Sequence, residues 1–138
     1  MGMPLLLDTC AALWIAQGAP ISDEARGTLI EARLRGAPIS VSPMSAWELG
    51  RLVEQGRVRL AMEPAKWFAA LAALPGMSVA AMTPDTLIAS SFLPGVAPLD
   101  PVDRVLIATA RDHGYRLMTR DRVMLDYAET GYLQAIAC

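Results

Sequence analysis

Leu5-Leu6-Leu7-Asp8-Thr9 opens the chain with three consecutive apolar residues, an acid and a hydroxyl, followed by a helical pattern through Leu13, Trp14 and Ala16 to Gly18. A continuous apolar run this short, bounded by a capping residue, reads as a strand buried on both faces that feeds a helix. The same grammar recurs downstream. Residues 39–41, Ile-Ser-Val, read as a short strand, and Ser45-Ala46-Trp47-Glu48 matches a capping box that opens a helix carrying Leu49, Leu52 and Val53. Asp100-Pro101 starts a long helix over 102–113 that Gly114 stops, and residues 115–118 read as another strand before Thr119-Arg120-Asp121 and a short helix.

Between these units, Ser22 is the expected cap of a helix with Ala25, Leu29, Ile30, Ala32 and Leu34 on its buried side, ended by Gly36. Val58 and Leu60 suggest a brief extended piece. Pro64 begins a helix, the run 77–82 is apolar, Thr83-Pro84 begins another helix over 85–92, and residues 132–136 close the chain as an edge strand. Short apolar strands separated by helices imply right-handed crossovers and a mostly parallel sheet covered on both faces, an α/β fold. The 138 residues show no repeat or linker, so one domain over 1–138 is expected.

Composition narrows the class. Hydrophobic residues make up 54%, yet charged residues, Gly or Pro interrupt every apolar stretch well before the ~20 residues of a spanning helix, so no membrane segment is expected. Residues 1–7 lack the charged start and cleavage pattern of a secretory leader, and a cytoplasmic location is the expectation. Cys10 and Cys138 form no metal-knuckle spacing and are read as spectators. The net charge of -2 is no nucleic-acid signature in bulk, so a polyanion would have to meet a local patch. Lys66 is the sole lysine, which leaves the planar fork of arginine to meet any phosphate.

Four acids fall at the carboxyl edge of such a sheet, where ligands of doubly wound folds bind: Asp8, Glu48, Asp103 and Asp121. Each alone reads as a helix cap or a first-turn acid, with Asp100 capping the long helix ahead of Asp103. Together they need more, because carboxylates about 4 Å apart repel by roughly 4 kcal/mol at an effective dielectric near 20. Such a cluster calls for shared protons or a cation, and hard oxygen donors without a His or Cys set suit Mg²⁺ or Mn²⁺ and phosphodiester hydrolysis. A receiver domain would want a lysine near the last strands, and a haloacid-dehalogenase-type phosphatase would want Asp-x-Asp where Asp8-Thr9-Cys10 stands. No glycine-rich phosphate loop is present. The lone His113 sits at a helix end, where it complements the dipole, and Trp14, Trp47 and Trp67 read as packing residues.

The segments Leu5-Leu6-Leu7-Asp8-Thr9, Ser45-Ala46-Trp47-Glu48-Leu49, Asp100-Pro101-Val102-Asp103-Arg104 with its continuation to Ala110, and Leu117-Met118-Thr119-Arg120-Asp121 resemble, in order and spacing, the four signature segments of PIN-domain proteins. Most of all the chain resembles the compact VapC-type toxins of bacterial toxin–antitoxin pairs. The resemblance implies a five-stranded sheet of order 3-2-1-4-5, Mg²⁺ or Mn²⁺ dependence and endoribonuclease activity. It matches Asp8, Glu48, Asp103 and Asp121 to the acidic quartet that holds metal and activates water, and Thr9 and Thr119 to hydroxyls that orient a carboxylate or a water. Asp100 is read as the cap, with contact to metal-bound water as the alternative. The resemblance further implies an RNA substrate, a homodimer, and a cognate antitoxin that blocks the acids with an arginine. Arg104 is the candidate for RNA or antitoxin contact, and Arg51, Arg57, Arg59, Arg120 and Arg122 are candidates for phosphates or for a solvated face. The competing reading is a catalytically silent binding module whose acids are caps.

Overall fold

The computed structural model describes residues 3–138, so the reading of the first seven residues falls outside it at Met1 and Gly2. In chain order the elements are β1 (Leu5–Leu7), α1 (Thr9–Ala16), α2 (Asp23–Arg35), β2 (Ile39–Val41), α3 (Pro43–Glu54), α4 (Pro64–Ala72), β3 (Met77–Val79), α5 (Pro84–Ala89), α6 (Pro101–His113), β4 (Arg116–Thr119), α7 (Arg122–Glu129) and β5 (Ala135–Ala137). The strands form one sheet of order β3-β2-β1-β4-β5, as expected. All four pairings are parallel, so the sheet is wholly rather than mostly so.

β1 lies at the centre and is buried on both faces, which explains why its sequence is a pure leucine run. Successive side chains of a strand point to opposite faces. Leu5 and Leu7 therefore join one core with Ala11, Ala12, Ala25 and Leu71, and Leu6 joins the other with Val102, Leu106, Leu117 and Met124. The result is three layers, with α1, α2 and α4 over one face and α6 and α7 over the other. α2 begins at the expected Ser22 cap, whose hydroxyl accepts the Ala25 N–H at 3.0 Å, and ends at Gly36 in the left-handed region.

Four expectations need correction. α3 starts one turn early, with Ser42 as cap and Pro43 in the first turn, so Ser45 lies inside the helix and makes no capping box with Glu48. Proline already carries helical φ and lacks the N–H that a first turn cannot satisfy, so it outweighs the box pattern. On α2 only Ala25 and Ala32 are buried, while Ile30 and Leu34 are 54% and 82% exposed. The 3.6-residue repeat that turns Ala25, Leu29 and Ala32 inward carries those two out of the packed stripe. Val58 and Leu60 form no strand; the Val58 N–H is turned back onto the end of α3 and donates to the Leu52 carbonyl at 3.2 Å. α5 stops at Ala89, short of the anticipated 92.

Leu6→Ala removes a fully buried side chain from the central strand. Urea unfolding is expected to show a loss of about 2–5 kcal/mol at unchanged denaturant slope, with the sheet retained by circular dichroism.

Candidate functional site

Parallel pairing sets Leu7 of β1 beside Met118 of β4, and the Asp8 N–H donates to the Met118 carbonyl at 3.0 Å. The next residues, Asp8 and Thr119, therefore emerge side by side at the carboxyl edge. Asp8 is only 6% exposed, and its two oxygens have separate duties. Oδ1 caps α1 by accepting the Ala11 N–H at 2.6 Å, and Oδ2 accepts the Thr119 hydroxyl at 2.5 Å. Thr119 Oγ1 in turn accepts the Asp121 N–H at 3.0 Å, which joins the first acid to the last. The buried Thr9 hydroxyl donates to Ser45 Oγ at 3.0 Å and ties α1 to α3, one turn before Glu48.

A cavity of about 340 Å³ at this edge is lined by Asp8, Glu48, Asp100, Asp103 and Asp121, with Arg120 as the single cation. A larger cavity, about 760 Å³, lies against α7 and β5, and Glu129 is its only carboxylate. Capping accounts for Asp8, for Asp100, which accepts the Val102 N–H at 3.3 Å, and for Asp121, which accepts the Val123 and Met124 N–H groups at 2.8 and 3.2 Å. It does not account for Glu48, in the middle of α3, or for Asp103, which caps nothing.

The acids feel one another. Burial pushes the Asp8 carboxyl up to about 6; its hydrogen bonds from Thr119 and Ala11 oppose the rise, and Glu48 and Asp121 add to it. Asp103 is pushed up to about 7 by burial first, then by Asp100, Asp121, Glu48 and Asp8. The Cys10 thiol beside them rises to about 11, from burial and the same carboxylates, and is protonated at neutral pH.

These residues fit a divalent cation in kind. Every ionised donor is a hard oxygen, and a cation would relieve the carboxylate repulsion that adds to burial in raising Asp8 and Asp103. Among the described residues no three His, Cys, Asp or Glu side chains are gathered into a complete ligand set. Magnesium needs no such cage, because it retains several waters and takes one or two carboxylates together with substrate phosphates.

Arg104 is not among the residues that line the cavity. Its guanidinium donates to the carbonyls of Ser90 and Pro98 at 2.8 Å and of Ser91 at 3.3 Å, so its fork is spent on the chain leading into α6. Arg120 does line the cavity. It lies 3.9 Å over the Trp14 ring and donates to the Cys138 and Pro20 carbonyls. Cys10, Trp14 and Arg120 all line the cavity, and only a position beside Asp8 or Asp121 in the sequence hinted at the first and last of them.

The PIN domain family matches residues 5–130. The chain belongs to the PIN domain family. Ribonuclease VapC22 of Mycobacterium tuberculosis is 34% identical over 118 residues, which cover 86% of this chain and 87% of that protein. The VapBC2 structure from Rickettsia felis, bound to a DNA fragment from its promoter, aligns over 98% of each chain with a TM-score of 0.71 at 13% identity. A toxin–antitoxin complex from Klebsiella pneumoniae aligns over 96% of this PIN domain and 95% of its own chain, with a TM-score of 0.59 at 19% identity. These two structures share the fold.

Two measurements check the electrostatics of this PIN site. Asp8 and Asp103 keep protons in the folded state that the unfolded chain releases near 3.8. The stability they contribute is therefore complete below 3.8 and is lost as pH rises through about 6 and about 7. In EDTA, urea midpoints are expected to fall across that window, and Asp103→Asn is expected to flatten the fall. Thr119→Val leaves Asp8 Oδ2 and the Asp121 N–H without partners and is expected to cost about 1–3 kcal/mol, while Thr119→Ser stays near wild type.

Proposed function

We propose that this PIN-domain chain is a divalent-metal-dependent endoribonuclease, the toxin of a VapBC-type toxin–antitoxin pair, acting in the cytoplasm. The observation that carries the proposal is the convergence of five carboxylates on one cavity, two of which do no capping. The relative named as a ribonuclease supports the same reading. Mg²⁺ or Mn²⁺ would be held by Asp8 and Asp103, with Glu48 and Asp121 completing the set directly or through water. When bound, the cation supplies Lewis acidity toward water and toward the phosphodiester oxygens.

The chain does the rest. Thr119 and the Ala11 N–H hold the Asp8 carboxylate in one orientation, and Thr9 with Ser45 braces α1 against α3. Glu48 accepts no hydrogen bond from the described residues, so its Oε atoms are available to take the proton of an attacking water positioned beside it. Five carboxylates against one guanidinium repel RNA phosphates, and a bound cation would offset part of that negative charge where a phosphate enters. Asp100 serves as the α6 cap and sits close enough in the cavity to meet metal-held water.

A homodimer and a cognate antitoxin belong to the same proposal. Ile88, Phe92, Val96 and Leu99 are exposed on α5 and the chain that follows it, a concentration of apolar surface suited to protein contact. The silent-module reading takes support from the caps at Asp8, Asp100 and Asp121 and from Asp103 in the first turn of α6, and has no account of Glu48.

The deciding experiment is cleavage of a total-RNA pool by antitoxin-free protein with Mg²⁺, with Mn²⁺ and with EDTA, beside Asp103→Asn. Discrete products that require metal and vanish in the variant are expected. No cleavage with either metal would favour the silent module.

A further inference from the structure

The acidic cavity does not end at Cys10 and Trp14. Both residues also line a second cavity, about 380 Å³, whose other walls are Leu13, Gln17, Leu52 and residues 57–59. From Cys10 to Gln17 the floor is α1, which covers about 10 Å at 1.5 Å per residue. Along that length the charge changes sign. The first cavity presents five carboxylates, while the second presents Arg57 and Arg59 and no acid.

Those two arginines are uncommitted where others are engaged. Arg104, Arg111 and Arg120 donate to backbone carbonyls, Arg35 and Arg122 pair with Glu31 and Asp126, and Arg51 covers the Trp47 ring. Arg57 and Arg59 are exposed, and among the described residues neither makes an ion pair, a side-chain hydrogen bond or a cation–π contact. Their backbone is nevertheless fixed. Gly56, at a φ of +74° that other residues rarely adopt, reverses the chain after α3, and the N–H groups of Arg57 and Val58 both donate to the Leu52 carbonyl, at 2.9 and 3.2 Å. A pinned segment thus carries two free guanidinia at the rim of a groove that shares Cys10 and Trp14 with the acidic cavity.

We infer that this groove is the track by which the RNA backbone leaves the acidic cavity, with Arg57 and Arg59 holding its phosphates. The inference rests on the ribonuclease reading and adds to it a binding site outside the acids. An arginine fork suits a phosphate, and a basic groove beside an aromatic residue is a common way to hold single-stranded nucleic acid. The arrangement divides the work: the arginines attract RNA whether or not metal is present, and the acids admit a phosphate only with a cation. Part of the RNA affinity is therefore metal-independent and salt-sensitive.

The test measures binding and cleavage separately. Anisotropy of a labelled single-stranded oligoribonucleotide of mixed sequence is followed against salt, in EDTA, for wild type, for Arg57→Gln with Arg59→Gln, and for Arg33→Gln with Arg35→Gln. The last pair lies at the end of α2 that leads into β2, the opposite edge of the sheet from the acids. Losing two phosphate contacts is expected to make the slope of log affinity against log salt shallower by about 1.4, with the control unchanged. In the Mg²⁺ cleavage assay the same pair is expected to raise KM and leave kcat in place. An unchanged slope, or an equal change in the control, overturns the inference even if the protein cuts RNA. A shallower slope confined to the Arg57/Arg59 variant of a protein that cuts no RNA supports the groove and overturns the ribonuclease reading instead.

Discussion

The hydrogen bond from Thr119 to Asp8 joins the ends of the two central strands and holds a carboxylate where electrostatics alone would not leave it. It exists because β1 and β4 run parallel in a register that brings Leu7 beside Met118, so the residues that follow must meet. Through Thr119 Oγ1 the same hydroxyl reaches the Asp121 N–H, and Asp121 then caps α7. One side chain thereby links the acid at the start of the chain to the acid at its end.

The magnitudes explain the protonation of the site. A helix cap contributes about 1 kcal/mol, whereas two ionised carboxylates about 4 Å apart in a partly buried setting cost several times that. Here burial is the first cause that holds Asp8 and Asp103 above the usual carboxylate range, and the neighbouring carboxylates add to it. A divalent cation changes that balance, and it is the partner for which a set of oxygen donors without histidine is suited. The site occupies the place where chain connectivity turns from β1, β2 and β3 on one side to β4 and β5 on the other, which is where open α/β sheets leave a crevice.

The arginines divide by duty in a way that charge counting would miss. Arg104 directly follows Asp103 and Arg120 directly precedes Asp121, yet both are occupied by carbonyls, the first holding the chain before α6 and the second clasping Cys138 and Trp14. Among the described residues Arg57 and Arg59 have no such occupation, and they line a cavity that shares both Cys10 and Trp14 with the acidic one. A slightly acidic PIN domain can in this way offer a polyanion a local positive surface.

What the sequence by itself determined was local: an all-leucine central strand, helix starts at Ser22 and Asp100, stops at Gly36 and Gly114, and an acid or hydroxyl after each central strand. These follow from backbone chemistry within a few residues, where apolar runs, caps and glycine act without reference to the rest of the chain. Asp8 and Asp121 were legible for the same reason, since each caps the helix that follows a central strand, and Asp103 because it lies in the first turn after the Asp100 cap. Where two local signals competed, at Ser42-Pro43 and Ser45-x-x-Glu48, the pattern could not say which would win. Only the tertiary structure decided that Ile30 and Leu34 face outward, that Val58 finds no strand partner, that Arg104 donates to the chain before α6, and that Arg57 and Arg59 line a cavity next to the acids. Those outcomes depend on which groups from distant segments arrive nearby, and a hydrogen-bond acceptor or an apolar face supplied from elsewhere leaves no trace in the residues that meet it.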